Sequence, residues 1–354
     1  MRRTPPTIRI LALALALCPS GPLNAQTTAA QPVISVTLLG TGVPLLDPAA
    51  YLASGRVNAG LLITAGTERM LFDCGQGIVT RLLQSGGPAD NPNIALDKVF
   101  ISHLHSDHIA DLPALYGYGW LFRYDVPLRV WGPGPGPDGP FSITAIMPLL
   151  RLVFDTDIYI RSSTFKVLTF PTSGVEPIVS ELSEGLVYSN NGVTVNAFLV
   201  NHSPVEPAYG FRVGYQGKSV VFSGDTRYSD NLVKNSVGAD VLIHEVWGYT
   251  QDASPELYSY HTNPEDAARV FLNTAPKLAV YTHMGIPPGT TADDIVSRTR
   301  AAGYKGPLQI GADLMEIDVP ATDAPVVIAP VPHAADQPVS LPAQMQAVKP
   351  LRRP

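Results

Sequence analysis

The chain is poor in cysteine, poor in charge and has no surplus of basic residues. Two cysteines in 354 residues cannot build the disulfide framework of a small secreted scaffold. Charged residues make up 15%, with 24 Lys and Arg against 30 Asp and Glu, for a net charge of −6. A dedicated nucleic-acid coat would be basic, so this balance argues against one. The apolar run from Ile10 to Cys18 is shorter than the roughly 20 residues that span a bilayer. Histidine is also scarce, at eight residues, and the positions of those eight carry most of the functional information. Proline is plentiful at 34, and hydrophobic residues reach 45%, enough to bury a sizeable core in one domain.

The two ends differ from the middle. Arg2 and Arg3, the apolar run and Leu23-Asn24-Ala25 before Gln26 form the pattern of a secretory signal over residues 1–25. Cleavage there would remove Cys18 and leave Cys74 as the single thiol, a buried small hydrophobe. The expected address is the periplasm or the medium, with no stable membrane insertion. Residues 26–31 form a short leader. From Pro320 to Pro354 proline recurs every few residues without helical or strand period, so a disordered tail is expected over 320–354; His333 falls within it. A single domain over 32–319 remains, without internal repeat, and Gly132–Gly139 (GPGPGPDG) reads as a long turn.

Within that domain, Val33–Leu39, Gly60–Thr64, Met70–Phe72 and Lys98–Ser102 read as strands, and Gln76–Gln84 and Ile109–Leu121 as helices. A second strand-rich block covers Val193–Val200, Tyr209–Tyr215, Lys218–Ser223 and Asp240–His244. Thr262-Asn263-Pro264-Glu265 opens a helix that must stop before Pro276. Leu278–Thr282, a helix near Ala292–Arg300 and Leu308–Ile317 follow. Mixed strands and helices in two similar halves fit a layered α/β domain.

The decisive stretch is His103-Leu104-His105-Ser106-Asp107-His108, directly after a strand. In an extended segment His103 and His105 project to one side, so one ion can take both. Asp107 and His108 lie beyond the turn, placed for a second ion. Imidazole and carboxylate together suit zinc, with iron or manganese as alternatives.

This HxHxDH pattern resembles the metallo-β-lactamase superfamily. Gly40-Thr41-Gly42-Val43-Pro44, Leu71-Phe72-Asp73-Cys74-Gly75, Ser223-Gly224-Asp225-Thr226, Ile243-His244-Glu245-Val246 and His261-Thr262-Asn263-Pro264-Glu265 resemble its ribonuclease Z-like branch. The stretches YHTNPEDAARVF and LAVYTH look most like exported arylsulfatase-type members. The resemblance implies a four-layer αββα sandwich with metals between the edges of two sheets. It implies one ion on His103, His105 and His202, a second on Asp107, His108 and His283, and Asp225 bridging both. It also gives His261 the role of proton donor to the leaving group, with Glu245 orienting it; a carboxylate there should raise the His261 pKa. Asp107 is both a ligand and an acceptor for the proton of the attacking water.

Two divalent ions would hold a bridging hydroxide as nucleophile. The expected activity is hydrolysis of small anionic sulfate or phosphate esters, with arylsulfatase first. A ribonuclease Z-like phosphodiesterase or a lactone or β-lactam hydrolase is the alternative, and a non-catalytic metal-binding protein the last. Phe141 to Val200 holds three basic residues against five acidic ones, so no phosphate-gripping arm is evident and no nucleic-acid partner is expected. A homodimer is compatible with the resemblance. Tyr116, Tyr118, Trp120 and Trp247 either line an aryl pocket or pack in the core. Arg227 either meets an anionic substrate or forms a surface ion pair, and His244, ending an apolar strand, reads as structural.

Overall fold

The structure, a computed structural model, describes residues 32–330 apart from 45–51, 53, 89–90, 138, 140 and 165–168. The signal-like segment, Cys18 and His333 lie outside the described residues. Fifteen strands are described: β1 (Ile34–Gly40), β2 (Gly60–Ala65), β3 (Glu68–Phe72), β4 (Lys98–Phe100), β5 (Arg129–Gly132), β6 (Ile178–Glu181), β7 (Gly185–Asn190), β8 (Val193–Leu199), β9 (Tyr209–Tyr215), β10 (Lys218–Phe222), β11 (Val241–Trp247), β12 (Leu278–Gly285), β13 (Leu308–Ile310), β14 (Met315–Val319) and β15 (Val327–Pro330). They form one sheet in the order β15-β14-β1-β2-β3-β4-β5-β6 and a second in the order β13-β12-β11-β10-β9-β8-β7. Each sheet begins antiparallel, through β1–β3 or β7–β10, and continues with parallel strands, through β3–β6 or β10–β13.

The helices are α1 (Ile78–Gln84), α2 (Ser106–Ile109), α3 (Leu112–Arg123), α4 (Ile143–Val153), α5 (Asp155–Tyr159), α6 (Asp230–Ser236), α7 (Pro255–Tyr260), α8 (Pro264–Thr274) and α9 (Ala292–Ala301). None is long and apolar enough to cross a membrane among the described residues.

Strand alternation explains the four layers. In β3, Met70 and Phe72 enter one apolar cluster while Leu71 enters another. In β10, Val220 and Phe222 join the first cluster and Val221 a third. The first cluster lies between the sheets, where Phe72, Phe100 and Phe211 meet. The second packs the outer face of one sheet on α1, α3 and α4 through residues such as Leu82, Leu115 and Met147. The third packs the other sheet on α8 and α9 through Ala267, Phe271 and Ile295. Strands covered on both faces read as continuous apolar runs, as β11 and β12 do. The expected αββα sandwich is the fold observed.

Several local expectations change. Leu308–Ile317 is two strands in different sheets, because the chain leaves β12 at Gly311, whose N–H donates to Tyr281 O, and joins β1 as β14. The helix expected at Ile109–Leu121 is broken at Asp111, whose Oδ2 accepts from the N–H groups of Gly77 and Val79 at 2.9 and 3.0 Å. That carboxylate caps α1, whose own cap residue, Gly77, has no side chain to offer. The ordered sheet also runs past 319. Val327–Pro330 pairs antiparallel with β14, so sheet hydrogen bonds order a proline-containing segment that was expected to be tail.

Candidate metal centre

The site lies where parallel strands of both sheets end. His103, His105, Asp107 and His108 follow β4, and α2 begins at Ser106. The turn that gathers them is held from below: Cys74 N–H donates to His108 O at 2.7 Å, and Asp111 N–H to Cys74 O at 3.0 Å. A Cβ on Gly75 would stand 2.0 Å from Asp107 O, so only glycine fits beneath this loop. Cys74 is fully buried and its thiol pKa is pushed up by burial, matching the small hydrophobe expected.

His202 follows β8 and Asp225 follows β10. In β11, Ile243, Glu245 and Trp247 alternate with Leu242, His244 and Val246. Ile243 faces the intersheet core, while Leu242 and Val246 face the α8 side. His244 shares that outer side, edge-on to Phe271 at 5.7 Å, and burial pulls its pKa down to about 4. It is packed away from the cluster.

His283 reaches the cluster through a break in the ladder. Glu245 pairs with Thr282 but Val246 pairs with Met284, so His283 is an extra residue in β12. Its φ is 44°. Before it Ala279 and Tyr281 face the α8 side, and after it Met284 does. This bulge swings one side chain out of the alternation, and a non-glycine residue at positive φ is strain of the kind that functional sites retain.

The donor atoms converge. His103 Nε2 lies 3.1 Å from His105 Nδ1, and His202 Nε2 lies 3.5 Å from the same atom. Asp107 Oδ2 lies 3.1 Å from His283 Nε2 and 3.6 Å from His108 Nε2. Asp225 Oδ2 lies 3.9 Å from His103, 3.4 Å from His108 and 3.5 Å from His283, each at Nε2. Two of the compact donor groups are His103, His105, His202 and Asp107, His108, His283. All these residues are buried except His105, which is half-buried.

The chemistry of the donor set fits divalent cations. His108 Nε2 is buried without a hydrogen-bond partner, although it faces two carboxylates. Among the described residues the ion pairs of Asp107 and Asp225 are all with histidines, and buried carboxylates without Lys or Arg call for another cation. Burial lowers His103, His105 and, to about 4, His202, favouring the neutral, ligating form. At His108 and His283 burial acts the same way, but Asp225 and Asp107 outweigh it and raise both pKa values. Burial likewise opposes charge on Asp225, yet His283 and His108 hold its pKa well below the usual range.

A further residue, Asp73, supports the cluster without belonging to the expected ligand set. It accepts from Ser102 N–H at 2.7 Å and Ser102 Oγ at 2.8 Å, and from His108 Nδ1 at 2.8 Å. Ser102 Oγ is in turn 3.0 Å from His103 Nδ1. Its motif, Phe72-Asp73-Cys74-Gly75, was visible in the sequence, and a carboxylate in a motif beside the HxHxDH strand was the available signal.

His261 adjoins the cluster just before α8, which starts as expected: Asn263 Oδ1 accepts from Asp266 N–H at 2.8 Å and Pro264 fills the first turn. Nδ1 of His261 lies 2.9 Å from Glu245 Oε2, and the ring stacks on Trp247 at 4.1 Å. The expected rise in its pKa is not found. Burial pulls His261 down to about 3, and burial together with Asp225 pushes Glu245 well up. The buried pair therefore favours a shared proton over two full charges. Of the other aromatics, Tyr116 and Trp120 are core residues bonded to Val175 O and Pro171 O, and Tyr118 is exposed. Trp247 alone of the four touches the site, its Nε1–H donating to His283 Nδ1 at 3.4 Å. Arg227 is exposed and donates to Ser259 O at 3.3 Å.

Comparison with known proteins agrees with this fold. Residues 165–284 match the beta-lactamase superfamily domain, and residues 34–125 match the family described as anti-Pycsar protein Apyc1. A ribonuclease Z of Mycobacterium sp. (strain KMS) is 34% identical over 296 residues, covering 81% of this chain and 96% of the relative. A ribonuclease Z of Mycobacterium bovis (strain BCG / Pasteur 1173P2) is 30% identical over 295 residues, covering 81% and 99%. Among solved structures, the metallo-beta-lactamase fold protein YhfI from Bacillus subtilis gives a TM-score of 0.56 at 21% identity over 79% of this chain and 97% of that one. Human tRNase Z, short form, gives 0.56 at 24% identity over 81% and 99%; both show the fold.

These relatives overturn the expectation that nucleic acid has no place among the partners, since proteins called ribonuclease match most of the chain. Net charge averages over the whole surface and so does not exclude such a partner. The chain belongs to the metallo-β-lactamase superfamily, among its ribonuclease Z-like members, and is a metal-dependent hydrolase of ester bonds.

Proposed function

We propose that the chain is a binuclear phosphodiesterase acting on the phosphodiester bonds of RNA or nucleotides. His103, His105 and His202 would hold one ion, and Asp107, His108 and His283 the other. The observation that carries this reading is the position of Asp225 Oδ2, within 3.9 Å of His103 and nearer still to His108 and His283. One carboxylate shared between two donor triads is what a two-ion site needs. The preference for phosphodiesters rests on the relatives called ribonuclease Z. Nothing in the donor set separates a sulfate ester from a phosphodiester, so the arylsulfatase expectation draws no support from it.

Zinc suits these ligands, with manganese or iron as alternatives. A pair of divalent ions supplies Lewis acidity and a nucleophile at neutral pH. Asp107 Oδ2, among the donors, accepts the proton of the attacking water. His261, tethered through Nδ1 to Glu245, offers Nε2 to the departing oxygen and protonates it as the bond breaks. Glu245 fixes the ring, and the proton the pair shares passes to Nδ1 as Nε2 gives up its own, so the ring ends neutral and the carboxylate ionised. Trp247 stacks on the imidazole and excludes water from its face.

The test is turnover by the metal-loaded protein of bis-p-nitrophenyl phosphate, p-nitrophenyl sulfate, a phosphonate ester, a lactone and nitrocefin. Diester hydrolysis is expected to dominate, and sulfate hydrolysis exceeding it would overturn the reading. Export belongs to the same proposal and rests on the N-terminal pattern alone. Sequencing of the mature N-terminus should find Gln26 first, and an intact Met1 on cytoplasmic protein would contradict export.

A further inference from the structure

A cavity of about 370 Å³ borders the chain segments that carry His103, His105 and His202, within the size range of small-molecule sites. Leu104, which stands between His103 and His105, lines it, and so do Pro204 to Pro207, which follow His202 closely. The cavity therefore borders the two segments that carry one donor triad, although none of the ligand candidates lines it. The proline- and glycine-rich turn after β5 also lines it, through Pro133, Gly134, Gly136 and Gly139. A Cβ on Gly136 would stand 1.9 Å from Glu206 O, so the two loops approach as closely as a bare backbone permits. Phe141 and Ile146 complete the lining, and Phe141 is 58% exposed. An apolar slot flanked by a solvent-exposed ring accepts a flat ring by stacking. Its single carboxylate, Glu206, is exposed; it accepts hydrogen bonds from N–H groups and repels an anionic ring.

We propose that this cavity is a base-binding subsite, receiving the nucleobase of the nucleotide attached to the scissile phosphodiester. Phe141 stacks on that base and Glu206 accepts from an exocyclic amine. The inference rests on the phosphodiesterase reading above and adds a substrate feature to it: the base next to the cleaved bond is recognised, with amine-bearing bases preferred. The turn of prolines and glycines then has a role, as a stiff wall whose glycines add no side-chain bulk.

The experiment uses the metal-loaded full chain. Turnover of the p-nitrophenyl ester of cytidine 5′-monophosphate is compared with that of methyl p-nitrophenyl phosphate, which has the same leaving group and no base. Binding of cytidine 5′-monophosphate is compared with that of ribose 5-phosphate by calorimetry. The wild type should favour the base-bearing member of each pair by about tenfold, the scale of one stacked base. Phe141→Ala should bring both ratios toward one, chiefly through KM. Glu206→Gln should weaken the cytidine ligand more than its uridine counterpart. Equal binding of the nucleotide and the sugar phosphate by the wild type would overturn the subsite, as would Phe141→Ala leaving the ratios intact. Base-dependent binding without diester turnover would instead overturn the phosphodiesterase reading and leave the subsite standing.

Discussion

Asp73 Oδ2 lies 2.8 Å from His108 Nδ1 and thereby fixes that imidazole with its other nitrogen buried and unpartnered. The carboxylate accepts from Nδ1, so Nε2, directed toward Asp107 and Asp225, is the nitrogen that would bind a cation. The same carboxylate holds Ser102, and Ser102 holds His103. One buried side chain thus orients a ligand candidate in each triad.

Asp73→Asn should therefore weaken metal binding about 10–100-fold, although Asn tolerates the φ of 58° found there. Competition with a chromophoric chelator reads the affinity, and circular dichroism confirms the fold. An unchanged metal affinity would remove Asp73 from this role.

His261→Ala should act according to the leaving group. On a phosphodiester with an alkyl leaving oxygen, kcat should fall about 10²–10⁴-fold, as for loss of a general acid. On bis-p-nitrophenyl phosphate, whose leaving group departs without a proton, the loss should be far smaller. Glu245→Gln should follow the same pattern more weakly, because an amide in place of the carboxyl group 2.9 Å from Nδ1 cannot share a proton with the ring. Equal losses on both substrates would exclude the proton-donor role.

A pH dependence should arise far from the metals, at Glu68. Burial opposes its charge, but hydrogen bonds from Tyr188 and Lys98, the Lys98 charge and Asn191 prevail and lower its pKa from 4.5 to about 2. A depressed folded-state pKa gives stability that is present above the unfolded value and lost as pH falls toward the folded one. The Tm should fall between about pH 4.5 and 2, and Glu68→Gln should flatten that slope while lowering Tm at neutral pH. Parallel Tm curves for the two proteins would contradict it.

Much of this was legible in the residues because double-sided burial writes strands as apolar runs. Tyr209–Tyr215 is a strand with the expected bounds, and the Asn263-Pro264 cap starts α8 where capping chemistry demands. His103 to His108 stood out because four donors within six residues have few other uses. Other features depend on contacts between distant segments. The bulge at His283 exists only in pairing with β11, and no local pattern marks it. Leu308–Ile317 divides between sheets because the chain, after the Gly311 N–H bond to Tyr281 O, crosses to pair with β1 as β14. The depressed pKa of His261 follows from burial, which a neighbouring carboxylate in the sequence does not reveal.

The most direct test of the two-ion site is metal content measured together with turnover. Purified chain, stripped with a chelator and titrated with Zn²⁺ or Mn²⁺, should regain hydrolysis of bis-p-nitrophenyl phosphate and reach full activity near about two ions per chain. Asp225→Ala should reduce both the ions retained and the turnover. Fewer than about one tightly bound ion per chain, or full turnover by the stripped protein, would contradict the binuclear hydrolase.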